Sequence, residues 1–223
     1  MSVYKAYVYS FLSVAFSYPS EELLEELWGG LDDLSLSLKE LGIEFDVEAL
    51  RRVIEESKRR VLDLKGEWTS LFSTSLKAPA NETAYEMDKA ARRAWELADI
   101  EGFYKAFGLD VKPPMEPDSL VAELEFMAYL IKKEMYAKER GMEEEAKITK
   151  EAYTNFFRDH LGRWYRIFTD LVKENTEEEY YKLMATLLRL FLDSQREGIE
   201  GIKDIEEYRK EVLEGSTFRV IHE

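Results

Sequence analysis

The sequence predicts an all-α protein: one multi-helix, bundle-like domain over residues 1–223, with residues 199–223 as a minor C-terminal appendage. Three observations predict it. Apolar residues recur every three or four positions, the spacing that lines one face of a helix. The 11 Gly and 5 Pro punctuate the chain between these stretches. Alternation with period two, the mark of a half-buried strand, rises above noise only in the tail Thr217 to Ile221.

The elements follow in order. Val3, Tyr7, Phe11, Val14 and Tyr18 form one apolar face, and Pro19-Ser20 stops that first helix. A short helix, Glu21 to Trp28, ends at Gly29-Gly30, and a weaker one, Leu31 to Leu41, stops at Gly42. Asp46 is placed to accept the free N–H groups of a longer helix with Leu50, Val53, Ile54, Val61, Leu64, Trp68, Leu71 and Phe72 inward. Ser73 to Asn81, with Pro79, reads as a loop; helix resumes at Glu82 and runs to Phe107, where Gly108 stops it. Three prolines keep Val111 to Pro117 out of regular helix. Asp118 then caps a helix to about Arg140, with Leu120, Val121, Leu124, Met127, Ala128, Ile131 and Met135 inward. Gly141 turns the chain into a helix from Glu143 to about Leu161, which leads into Gly162 to Lys173. Thr176-Glu-Glu-Glu179 has capping-box spacing and opens a helix to about Gln195; a last short helix covers Asp204 to Leu213. That makes roughly eight to ten helices of ordinary length.

Composition narrows the function. At 45% hydrophobic and 13% aromatic the chain can build a real core. Its 46 acidic and 31 basic residues give a net charge of −15, which repels nucleic-acid backbones and anionic membrane surfaces and favours a cationic partner. The chain holds no cysteine, so disulfides, zinc–thiolate sites, iron–sulfur ligation and thiol catalysis are excluded. The uncharged run Ala6 to Ser20 is too short and too polar to span a bilayer, and the N-terminus lacks a basic region followed by a clean apolar block. A cytoplasmic protein without stable membrane insertion is expected.

Catalytic patterns are missing. The two histidines, His160 and His222, do not follow a Glu at the three-residue spacing of di-iron bundles, and no zinc helix, phosphate-cradling loop or nucleophile elbow occurs. His160, among Phe156, Phe157, Leu161 and Trp164, reads as a packed structural histidine. Glu123 and Glu125 point to different faces of one helix, so spacing alone does not make them an acid/base pair. Runs such as Glu143 to Glu145 sit at helix starts, where the macrodipole favours them. No enzyme, cofactor or metal is expected. Two places break the pattern: Trp68 to Phe72 running into Ala78 to Tyr85, and the turn Glu116-Pro-Asp118-Ser119, which aims carboxylates at a helix start. Together they supply apolar walls and guanidinium acceptors for a peptide.

Five fragments, in order, resemble the TorD/DmsD/NarJ group of molybdoenzyme maturation chaperones: Phe16-Ser-Tyr-Pro19, Glu67-Trp-Thr-Ser-Leu-Phe72, Phe103-Tyr-Lys-Ala-Phe-Gly-Leu109, Glu116-Pro-Asp-Ser-Leu-Val-Ala-Glu-Leu-Glu-Phe-Met127 and Phe157-Arg-Asp-His-Leu-Gly-Arg-Trp164. Two positions depart from that group's pattern: Ser119 stands where its histidine follows Pro-Asp, and Asn81 where an aromatic is common. The resemblance implies a TorD-like fold and a monomeric or homodimeric chaperone. Its partners would be the catalytic subunit of a molybdopterin oxidoreductase and that subunit's N-terminal twin-arginine signal peptide or equivalent leader, held until the cofactor is inserted and before export. It points to Trp68, Leu71, Phe72, Pro79, Glu82, Tyr85 and Asp118 as peptide-contacting or groove-shaping, with Glu123 and Glu125 as further candidates. The motif Phe157 to Trp164 reads as packing. The competing readings are a helical nucleotide-binding protein and a structural subunit of a larger complex.

Overall fold

The computed structural model describes residues 2–74, 76–85 and 90–205; the side chains of residues 90–92 lie outside that description. The described residues are all-α, and pairing of extended backbone among them is confined to an isolated antiparallel bridge between Asn81 and Ser119. The helices are α1 (Ser2–Phe16), α2 (Glu21–Gly29), α3 (Leu31–Leu41), α4 (Val47–Lys58), α5 (Val61–Trp68), α6 (Ala90–Ala106), α7 (Leu120–Glu139), α8 (Glu143–Phe156), α9 (Gly162–Asn175) and α10 (Glu179–Arg196). Asp204 and Ile205 are not helical; the rest of the expected last helix, the tail alternation and His222 lie outside the described residues.

Local chemistry sets most boundaries. The Ser20 and Asp46 side chains accept from Leu23 N and Ala49 N and start α2 and α4. Gly42, Gly108 and Gly141 adopt φ near +70°, the left-handed conformation that ends a helix at little cost without a Cβ. Two starts differ from expectation. α7 is capped by Ser119, whose Oγ accepts from Ala122 N, because Asp118 is turned inward. At α10 no capping box forms: Thr176 accepts from Glu178 N and donates to Glu67, so its hydroxyl closes a local turn and ties α10 to α5.

α1 lies centrally, packed on α7, α3, α10 and α2; α8 backs α7, and α9 pairs with α10. Because neighbours cover it from several directions, its buried residues are Ala6, Val8, Tyr9, Phe11, Leu12, Ser13, Ala15 and Phe16. Val3 and Tyr18, expected on its apolar face, are exposed. Two helical runs loosen into π-helical turns, Thr69–Ser73 after α5 and Phe157–Leu161 between α8 and α9. Such turns widen the helix and re-aim side chains. The second depends on Gly162, since a Cβ there would stand 2.4 Å from Phe157 O. No helix of the described residues is long and apolar enough to cross a membrane.

Candidate functional site

The first π-helical turn carries Leu71 and Phe72 beyond α5. Leu71 is buried, and its carbonyl accepts from Ala78 N, which folds the following loop back. Phe72 packs edge-on against Phe16, Trp68 and Tyr181 and, tilted, on Phe168. The Trp68 Nε1–H donates to Phe16 O at 2.9 Å, and Tyr18 stands edge-on to the indole at 5.1 Å. Of these rings Phe16, Tyr18, Trp68 and Phe72 line the floor of a cleft of about 660 Å³. Leu76, Pro79, Ala80, Asn81 and Ala84 form one wall; Met115, Glu116, Ser119, Leu120 and Val121 form the other, with Arg93 at the margin.

The loop is stapled to the start of α7. Leu120 N donates to Ala80 O and Glu82 N to Asp118 O, a two-bond ladder around the Asn81–Ser119 bridge. Asp118, 0% exposed, accepts from Asn81 Nδ2 (3.0 Å), Thr83 N (3.2 Å) and Thr83 Oγ1 (2.6 Å). Asn81 Nδ2 also donates to Glu116 Oε2 at 2.8 Å. The two positions at which the sequence departs from the resembled pattern thus face each other, and both line the cleft.

Beneath the wall lies a buried polar network. Glu82 meets His160 Nδ1 at 3.1 Å and Arg163 Nη1 at 3.3 Å, and Arg163 also reaches Glu96 at 3.4 Å. Burial opposes charge on His160, but the Glu82 hydrogen bond and the Glu82, Asp99 and Glu96 carboxylates outweigh it and raise its pKa above 6.5. Glu123 accepts from Trp164 Nε1 at 3.1 Å, while its Oε1 has no partner within hydrogen-bond geometry among the described residues. Burial, then the nearby Glu82 carboxylate, pushes Glu123 well above the usual carboxylate range. Tyr85, fully buried, donates to Pro79 O and stacks tilted on Trp164. Glu82, Glu96 and His160 offer ligand atoms within 4.8 Å of one another, spacing that suits a metal ion. Arg163, hydrogen-bonded to both glutamates, supplies the positive charge in that place.

Of the residues singled out from sequence, Trp68, Phe72 and Pro79 line the cleft. Leu71, Glu82, Tyr85, Asp118 and Glu123 lie buried behind it, and Glu125 is exposed on α7 outside the lining. The sequence offers Asp118 as peptide-contacting or groove-shaping, and in the structure its oxygens are taken up by Asn81 and Thr83. The carboxylate at the rim belongs to Glu116, two residues earlier in the same turn. Phe16, Tyr18, Asn81, Met115 and Val121 also line the cleft. Phe16 and Tyr18 carry a signal in Phe16-Ser-Tyr-Pro19 and Val121 one in the helical apolar spacing, whereas Asn81 and Met115 gain their place only through the fold.

The structure thus places an aromatic-lined cleft against a loop stapled to a helix start in an all-α chain. Residues 39–170 match the family described as nitrate reductase delta subunit. The chain belongs to this family, the NarJ/TorD type of chaperones for molybdoenzyme maturation. It is 24% identical over 209 residues to the perchlorate reductase assembly chaperone protein of Dechloromonas aromatica (strain RCB), a match covering 88% of this chain and 90% of that relative. The family match spans Trp68 to Tyr85, Asp118, Glu123 and His160.

Proposed function

We propose that this chain is a cytoplasmic assembly chaperone for the catalytic subunit of a molybdopterin oxidoreductase. It holds that subunit's N-terminal leader, a twin-arginine signal or its equivalent, until cofactor insertion is complete and export can begin. The observation that carries the reading is the cleft, whose 660 Å³ lies in the range of specific ligand sites. An apolar leader segment would cover Trp68, Phe72, Pro79 and Val121, and that burial would supply most of the affinity at about 25 cal/mol per Å². Glu116, exposed beside the cleft and already oriented by Asn81, would take a leader guanidinium. The charge of −15 would speed the approach of a basic leader.

Calorimetry with synthetic leaders of molybdopterin oxidoreductase subunits tests the proposal. Trp68→Ala should weaken binding roughly 5- to 30-fold, as removal of a central aromatic anchor does. Glu116→Gln should cost about two- to fivefold, the worth of an exposed ion pair, and flatten the salt dependence. Leaders that bind with unchanged affinity to both variants would place the site elsewhere. Failure of every leader to bind would remove the function itself.

A further inference from the structure

A second groove, of about 370 Å³, runs between α1 and α7, and none of its lining residues lines the cleft. Val3 and Tyr7 of α1 and Met135 and Tyr136 of α7 give it an apolar lining, with Val3 53% and Tyr136 51% exposed. Arg140 lies over the Tyr136 ring at 4.3 Å. Exposed apolar surface of this kind, rimmed by polar groups, marks a place where protein docks on protein. The charged lining is one cation and one anion, Lys132 and Glu139, both exposed. Lys132 Nζ donates to Ser10 Oγ at 3.2 Å, and the neighbouring Lys138 is paired with Glu134 at 2.6 Å. At a net charge of −15 two copies of the chain repel each other, and a groove of balanced charge is where they can approach. The same balance makes it a poor match for a strongly basic peptide.

Spacing makes the pattern self-complementary. Lys132 and Glu139 stand two turns apart, so they share one stripe of α7 and are separated by about 10.5 Å along its axis. Met135 and Tyr136 sit at the midpoint between them. A two-fold axis through that midpoint, perpendicular to α7, sets each Lys132 against the partner's Glu139 and each Tyr136 against the partner's Met135. We propose that this groove is an isologous interface between two copies of the chain, with the two α7 helices antiparallel, Tyr136 entering the partner's groove and a lysine–glutamate pair closing each end. The apolar centre supplies the attraction and the two pairs fix the register. So small a surface gives a weak dimer, with a dissociation constant on the order of micromolar. The cleft contributes no residue to it, so the outcome is independent of whether the cleft takes a leader.

Sedimentation velocity of the full chain over a concentration series should show monomer passing into dimer. Lys132→Glu and Glu139→Lys, both at exposed positions, should each weaken the dimer roughly two- to thirtyfold, the worth of two exposed ion pairs, and the double reversal should restore it. The single changes shift net charge in opposite directions, so a response to net charge alone would have opposite signs in the two. The chain holds no cysteine, so a disulfide from an introduced one can only join two copies. An equal mixture of Lys132→Cys and Glu139→Cys chains should cross-link under mild oxidation. Either variant alone should not, because its two thiols then stand about 10.5 Å apart along α7, beyond the Cα separation of about 7 Å that a disulfide spans. A chain that stays monomeric throughout overturns the proposal and leaves the groove to a protein of different sequence. A dimer that ignores both reversals, or in which either cysteine variant cross-links with itself, also overturns it: the copies would then meet through another face.

Discussion

Asp118→Asn separates a carboxylate that meets the ligand from one that builds the site. In the structure Asp118 accepts three hydrogen bonds, two on Oδ2 from Thr83 and one on Oδ1 from Asn81. An asparagine can keep one oxygen for Thr83, but its amide nitrogen then confronts Asn81 Nδ2 at 3.0 Å, donor against donor. Asn81 cannot turn over freely, since the same nitrogen serves Glu116. One charge-assisted bond is lost and a buried donor is stranded, a cost of about 2–4 kcal/mol. At about 2–4 °C per kcal/mol for a chain of this size, the melting midpoint should fall by roughly 4–16 °C. The assay is calorimetric melting with a urea titration, in which the midpoint should shift while the slope stays constant. Glu116→Gln, a change at an exposed carboxylate, is the control and should stay within about 0.5 kcal/mol. An Asp118→Asn protein that melts with the parent yet binds leaders poorly would refute the assignment: Asp118 would then face the ligand.

Two further predictions concern the buried network and the π-helical turn. Glu123 has a raised folded-state pKa, so above about 4.5 the unfolded chain gives up a proton that the folded chain retains, and stability falls as pH rises. Glu123→Gln should abolish that component, so its stability relative to the parent should grow from pH 5 to pH 8 in parallel urea titrations; a constant difference would mean that Glu123 is ionised in the fold. Gly162→Ala would drive a Cβ against Phe157 O and the Phe157 ring, at 2.4 and 2.8 Å. Overpacking of that kind costs about 1–3 kcal/mol, or roughly 2–12 °C of melting temperature, and an unchanged melt would show that the turn can relax.

Local rules carried most of the fold. Helix periodicity, the Ser20 and Asp46 caps and the left-handed glycines depend on neighbours within a turn, and each can be read along the chain. Local spacing misleads where distant partners compete for a group. Thr176-Glu-Glu-Glu179 has capping-box spacing, but Glu67 of α5 claims the threonine hydroxyl. The α1 face drawn through Val3 and Tyr18 assumed one buried side, whereas α1 is covered by several helices.

The candidate site divides in the same way. The sequence by itself determined the all-α class, the acidic balance and the apolar run Trp68 to Phe72 beside a proline-containing loop, because side-chain type and spacing are local properties. Only the tertiary structure decided which carboxylates are buried and which stay exposed. Asp118 and Glu116 are two residues apart in one turn, yet the loop from Ala80 to Thr83 docks over the first and leaves the second exposed. The partnership of Glu82 with His160 joins positions 78 residues apart. Burial and pairing at that range depend on which surfaces meet, and no local spacing encodes them.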